Sequence, residues 1–232
     1  MPKESIAKRT LRWLSKTALY RAGVLPAVNQ IFYMELLRHT RDYEALTWLG
    51  KPIRQAPLDL WTIQETLWRV RPALLIEVGT SWGGSAYFYA QLFDLMGAGR
   101  VITVDVVKLH DLTHPRIEFV IGSSVEPGVV AGMTRAARAA DGPVMVILDG
   151  DHHQAHVRAE LECYSGLVTP QSYLLVQDGI VDTSPYFQEH RPGPLPAIHD
   201  FLSTHPEYAV DGALCQQFVI THHPEGWLKR LG

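Results

Sequence analysis

The sequence predicts an α/β fold: a doubly wound sheet, mostly parallel, with an antiparallel C-terminal strand and an N-terminal helical extension. Three observations carry this. From Ala73 onward, short β-branched apolar runs alternate with stretches of helical spacing, as in a parallel sheet covered by helices on both faces. Several of the runs end in glycine or an acid, as strands do where a Rossmann-like sheet feeds its ligand-binding loops. Residues 1 to about 50 instead place apolar residues at helical spacing without strand-like alternation. The chain has 232 residues, 47% hydrophobic and 19% charged, so it can bury a core. The expected organisation is a helical extension over 1–50 and a sheet domain over 51–232.

The elements follow in order. DLWTIQETLWRV (Asp59 to Val70) has helical spacing, with Asp59 as its expected N-cap. LLIEVG (Leu74 to Gly79) is a short buried strand ending in a glycine turn, and SAYFYAQLFDLM (Ser85 to Met96) is the helix after it. RVITVDVV and IEFVIGSS are the second and third strands; PGVVAGMTRAARAA (Pro127 to Ala140) is a helix. PVMVILDGD is a buried strand, QAHVRAELECYSGL a helix, SYLLVQDG a further strand and PLPAIHDFLSTH a helix. YAVDGALCQQFVITHH (Tyr208 to His223) reads as two strands meeting near Asp211-Gly212.

Composition narrows the function. The formal net charge of -3 lacks the phosphate-neutralising excess of a nucleic-acid binder. No apolar run reaches the roughly 18 residues of a membrane-spanning helix, so no integral membrane segment is expected. Within 1–21, Lys3, Lys8, Arg9, Arg12, Lys16 and Arg21 face a single acid, Glu4. That suits a solvated or subunit-packed amphipathic helix, or peripheral contact with an anionic surface. Cys163, read as helical, and Cys215, read as lying in a strand, are too few for a disulfide framework. A reducing cytoplasm is the expected compartment.

Ligands of such a sheet sit at the carboxyl ends of its strands. Four loops qualify. In Glu77 to Ser85, Gly79 permits a tight turn, Gly83 and Gly84 permit close approach to the helix start, and Thr80 and Ser85 offer hydroxyls. The spacing is neither the dinucleotide fingerprint nor a Walker loop, and helix packing alone also explains such glycines. Asp105 ends the second strand, where an acid accepts from a ribose diol or caps the next loop. Ser123 and Ser124 follow the third strand, within reach of an adenine ring. Asp149-Gly150-Asp151-His152-His153 follows the fourth, and Gln177-Asp178 the fifth. Neighbouring strands about 4.8 Å apart bring Asp149 and Asp178 onto one hard cation such as Mg²⁺, with His152 beside it as general base. The plainer reading of this cluster is a helix cap with local ion pairs.

Together these loops resemble a class I S-adenosylmethionine-dependent methyltransferase, of the cephalosporin hydroxylase and rhamnosyl O-methyltransferase family. The resemblance rests on WLGKPIRQAPLDLWTIQETL, LLIEVGTSWGGSAYF, RVITVDV, ILDGDHHQAHV, SYLLVQDG and PGPLPAIHDFL, and spans roughly Tyr43 to Val219. It implies S-adenosylmethionine as cofactor, held through Glu77, Gly79, Thr80, Ser85, Asp105, Ser123, Ser124 and Asp149. It implies Mg²⁺ on Asp149, Gln177 and Asp178, His152 as catalytic base, and a sugar or natural-product acceptor. It also implies a homo-oligomer. The family usually has Glu-Asp where this chain has Gln177-Asp178, which removes one negative charge; Asp151 is a candidate to compensate. Val181 to Pro196, with Tyr186, Phe187, His190 and Arg191, is a candidate lid. The competing expectations are a cofactor-binding relative without methyl transfer and a metal-dependent oxygenase.

Overall fold

The computed structural model describes Ala18 and residues 22–232, without the side chains of Leu25 and Pro26. The basic helix expected over 1–21, with its surface contact, falls on residues that, Ala18 apart, lie outside the described ones. The chain divides into two compact units, Met1–Asp42 and Tyr43–Gly232.

In the first unit, helix α1 spans Val24–Thr40, with Arg38 paired to Glu35 at 2.7 Å one turn away. It stops at Arg41, whose backbone is left-handed (φ 53). Helix was expected to about residue 50; instead a small antiparallel hairpin, β1 (Thr47–Trp48) and β2 (Lys51–Pro52), turns at Leu49-Gly50 in the second unit. Gly50 (φ 78) and Leu49 (φ 48) take the left-handed conformations that make this two-residue turn.

Helix α2 spans Pro57–Val70. Pro57 opens it with a fixed φ and no N–H to leave unpaired. Asp59 does not cap it. The cap position is Ala56, and Asp59 lies in the first turn, buried, accepting from Thr221 Oγ1 at 2.6 Å and from the His222 N–H at 2.9 Å.

The sheet contains β3 (Leu74–Val78), β4 (Arg100–Asp105), β5 (Ile117–Ile121), β6 (Val144–Leu148), β7 (Tyr173–Val176), β8 (Tyr208–Val210) and β9 (Trp227–Arg230), in the order β5-β4-β3-β6-β7-β9-β8. The pairs from β5 to β7 are parallel; β9 runs antiparallel to both β7 and β8. Alternating residues bury on opposite faces. Ile76, Val78, Val146 and Leu148 pack under α4 (Pro127–Arg138), α5 (Gln154–Tyr164) and α7 (Pro194–Thr204), the single turn α6 (Ile180–Thr183) lying between the last two in sequence. Leu75, Met145, Ile147 and Leu175 pack under α2 and α3 (Gly84–Met96). Both faces being covered explains why β3 and β6 are apolar at every position but Glu77.

The expected C-terminal hairpin is corrected. Only its first strand, β8, forms; Gly212–Cys215 is a short helix, α8, so Cys215 is helical rather than in a strand. Asp211 Oδ1 accepts from the N–H groups of Ala213 and Leu214 and starts that turn. The partner strand is β9, whose Trp227 and Leu228 sit opposite Leu175 and Leu174. The order in which strands are added reverses between β3 and β6, so the crevice at their carboxyl ends is the topological switch point.

Candidate active site

Gly79 stands at that crevice. Its φ is 93°, and a Cβ there would lie 1.9 Å from the Asp149 carbonyl oxygen. Only glycine lets the loops after β3 and β6 come this close. Gly84 serves packing rather than a ligand, because a Cβ on it would meet the Pro52 carbonyl oxygen at 1.9 Å. That contact seats the β1–β2 hairpin on the start of α3 and aims the residues after it, including Gln55, at Asp149.

Glu77 is fully buried in the centre of the sheet. Its Oε2 accepts from Thr103 Oγ1 at 2.5 Å, and Thr103 in turn meets Thr80 Oγ1 at 2.7 Å. Its Oε1 is buried without a hydrogen-bond partner among the described residues. Burial pushes the carboxyl up to about 7, against the opposing pull of the Ser85 and Thr103 hydroxyls. Such a group, buried and half-satisfied two residues before the Gly79 turn, suits a cationic or hydrogen-donating partner. Asp105 Oδ2 accepts from the Ser81 N–H at 2.8 Å and so fixes the turn at Ser81, whose φ is 47°.

Ser124 is tied down. Its hydroxyl donates to Glu160 Oε1 at 2.7 Å and meets His156 Nε2 at 3.2 Å, while its carbonyl accepts from Tyr164 OH at 2.7 Å. Ser123 is half-buried, and its carbonyl accepts from the Glu126 N–H at the start of α4.

Asp149, His152 and Asp178 offer ligand atoms within 4.8 Å of one another. His152 Nε2 lies 2.9 Å from Asp178 Oδ2. Burial disfavours the imidazolium, but Asp178 outweighs it and raises His152 to about 9. Burial likewise resists ionisation of Asp178, yet His152 and His222 hold it well below the usual carboxylate range. Asp149 moves the other way, raised by burial and by the like charge of Asp178. Two carboxylates converging in this way favour a hard divalent cation, which takes oxygen ligands and cancels their repulsion.

Gln177 belongs to the same cluster. In one orientation its Oε1 accepts from Gln55 Nε2 at 2.8 Å; turned over, its NH₂ donates to both Asp149 oxygens at 3.1 and 3.2 Å. Gln55 Nε2 also donates to Asp149 Oδ2 at 2.7 Å. Asp151, the candidate to replace the missing charge, instead pairs with His153 on the exposed rim.

Several residues here escaped the sequence reading: Gln55, Thr103, Glu160, Tyr43, His222 and His223. His222 Nδ1 lies 3.2 Å from Asp178 Oδ1, and the Asp178 N–H donates to His223 Nδ1 at 3.1 Å. Their signal was present but misassigned, as the polar end of an expected strand. In the candidate lid, Arg191 is a staple: its guanidinium donates to the carbonyls of Val181 and Ser184, at 2.9 and 2.7 Å. Asp182 ties the other end, accepting from the N–H groups of Gly193 and Leu195. Tyr186 is exposed beside Phe187, ring centroids 4.9 Å apart.

Comparison with known proteins bears on the fold and the family. The rhamnosyl O-methyltransferase of Mycobacterium tuberculosis (strain ATCC 25618 / H37Rv) is 32% identical over 192 residues, 79% of this chain and 78% of that protein. The rhamnosyl O-methyltransferase of Mycobacterium leprae (strain TN) is 31% identical over 194 residues, 81% and 84% of the two chains. A solved structure of CmcI with Mg and SAM matches the fold with a TM-score of 0.65 at 19% identity, covering 82% of this chain and 78% of that one. The family model described as Rhamnosyl O-methyltransferase/CmcI matches residues 41–231, and the chain belongs to that family.

Proposed function

We propose that the protein is an S-adenosylmethionine-dependent O-methyltransferase that methylates a hydroxyl of a sugar or natural-product acceptor with the assistance of Mg²⁺. The observation that carries this is the convergence of Asp149, His152 and Asp178 beside the Gly79 crevice. Its relatives, at 31–32% identity, are rhamnosyl O-methyltransferases, which supports a sugar hydroxyl as the acceptor. S-adenosylmethionine supplies an electrophilic methyl group on a sulfonium, and Mg²⁺ on oxygen ligands orients a hydroxyl and lowers its pKa.

The chain's own residues do the rest. Glu77 presents a buried negative charge to the cationic portion of the cofactor, with Thr103, Thr80 and Ser85 holding it. Gly79 lets the loops after β3 and β6 close on each other at the site, Asp105 would accept from the cofactor's ribose, and Ser123 and Ser124 would border its adenine. Asp149 and Asp178 would hold the cation, and the Gln177 amide oxygen would join them only by turning toward Asp149 in place of the NH₂. His152 would take the proton from the acceptor hydroxyl, and a cation held on Asp178 would oppose the pull that Asp178 exerts on the imidazolium. Much of the rate comes from holding oxygen, methyl carbon and sulfur in line. The same reading has the protein act in the cytoplasm as a homo-oligomer.

The test is calorimetric binding of S-adenosylmethionine and S-adenosylhomocysteine, with and without Mg²⁺, followed by turnover on rhamnosylated acceptors. Micromolar binding with Mg²⁺-dependent methylation is the expected result. Absence of binding in both conditions overturns the reading.

A further inference from the structure

Asp178 has an unusual backbone for a non-glycine residue, left-handed with φ 59°. Such a conformation costs on the order of 1–2 kcal/mol and persists only where neighbours hold it. One tripeptide, Thr221 to His223, supplies two of the holding contacts. The Asp178 N–H donates to Nδ1 of His223, which is 1% exposed, and the Ile180 N–H donates to the His222 carbonyl. The tripeptide is anchored in turn on α2: Asp59, 3% exposed, accepts from Thr221 Oγ1 and from the His222 N–H.

The side chain of Asp178 is held by imidazoles at both oxygens. Oδ2 faces His152 Nε2 at 2.9 Å and Oδ1 faces His222 Nδ1 at 3.2 Å. A carboxylate only accepts, so His222 carries its proton on Nδ1. Its Nε2 is then the acceptor for Tyr43 OH, 2.9 Å away, and the Tyr43 ring meets the imidazole edge-on at 5.0 Å. The ring of His222 is thereby fixed at both nitrogens, and it fixes the plane of the Asp178 carboxylate.

We infer that His222 is a positioning residue for the cation site, setting the direction in which Asp178 presents its oxygens, with Tyr43 setting His222. The inference rests on the reading of Asp178 as a cation ligand. Partners that orient ligating carboxylates typically change metal affinity or activity by about 10–100-fold when removed.

Four variants test it. His222→Asn places an amide N–H where Nδ1–H stands; His222→Gln reaches toward Tyr43 instead; His222→Leu keeps bulk without a donor; Tyr43→Phe removes only the hydroxyl. Each is saturated with S-adenosylhomocysteine, whose affinity reports an intact fold, and titrated with Mn²⁺ followed by electron paramagnetic resonance. Crystal structures of wild type, His222→Asn and His222→Leu report the Asp178 carboxylate directly. The expected result is near-wild-type Mn²⁺ affinity for His222→Asn and roughly 10–100-fold weaker binding for His222→Leu and His222→Gln. Tyr43→Phe should show a smaller loss, and Asp178 should be turned away from its wild-type position in His222→Leu but not in His222→Asn. An unmoved Asp178 in His222→Leu overturns the inference, as does a loss that follows side-chain volume. If wild type binds no Mn²⁺, the cation reading fails by itself, and the crystal structures still decide whether His222 positions Asp178.

Discussion

Glu77→Gln should make the unliganded protein more stable and the cofactor complex weaker. The carboxyl is wholly buried, one of its oxygens has no hydrogen-bond partner among the described residues, and its pKa is raised from 4.5 to about 7. The folded-state value lies above the unfolded one, so the folded protein holds this proton more tightly. Stability therefore falls as pH rises from about 4.5 through about 7, and the full penalty is present above 7. At roughly 1.4 kcal/mol per pH unit, the rise amounts to about 3 kcal/mol. Glutamine keeps the shape and the hydrogen bond from Thr103 without the charge, so it should recover up to about 3 kcal/mol at pH 8 and little near pH 4.5. A cationic ligand inverts the balance: losing a charged hydrogen bond costs about 1.5–3 kcal/mol, or roughly 10–100-fold in Kd. Binding should also release a proton near neutral pH and tighten as pH rises through about 7. Urea denaturation of both proteins at pH 5 and 8, with calorimetry of S-adenosylmethionine in buffers of different ionisation enthalpy, reads all of this. A stability difference independent of pH, or unchanged cofactor affinity in the variant, would refute the reasoning.

Three further outcomes are expected. His152→Ala should keep cofactor affinity and lose on the order of 10²–10⁴ in turnover; unchanged single-turnover rates would remove His152 as the base. Gln177→Glu should lower the melting temperature without metal, since it adds a carboxylate beside Asp149, and should raise Mg²⁺ affinity about tenfold or more. If Mg²⁺ neither binds nor affects activity in either form, the cation assignment is wrong. Gly79→Ala should cost about 3–5 kcal/mol, because its Cβ would meet the Asp149 carbonyl oxygen at 1.9 Å and the residue must hold φ 93°; wild-type stability in urea would contradict that geometry.

What the sequence revealed was local in origin. β3, β4 and β6 are short β-branched runs bounded by turn residues, and the acids at their ends follow from where such strands stop. Glu77, Asp105, Asp149 and Asp178 were legible for that reason. Partners that fold in from afar were not: Gln55 meets Asp149 across 94 positions and Gln177 across 122, and His222 meets Asp178 across 44. The segment ending in Val219 to Thr221 was misread because its β-branched residues have strand propensity. Asp59, free of capping duty, takes Thr221 and the His222 N–H into the interior and denies them a ladder. β9 was missed because two of its four residues, Lys229 and Arg230, are charged, while its pairing depends on Trp227 and Leu228 alone reaching the core. Ser124 was rightly placed at a loop, but its hydroxyl goes to Glu160, which nothing nearby in sequence announces.

The insertion of β9 between β7 and β8 bears on biogenesis. On a ribosome, β3 to β7 emerge in an order that lets each parallel strand dock on one already present. The residues that brace Asp178 lie between β8 and β9, and β8 has no place in the sheet until β9 threads in beside β7. A nascent chain that has emerged only as far as β8 therefore carries Glu77, Gly79 and Asp149 in a folded frame but an unsupported Asp178. On the function proposed above, the residues read as cofactor-binding would be in place before the one read as a cation ligand is braced, and a chain cut near β9 would lack that brace.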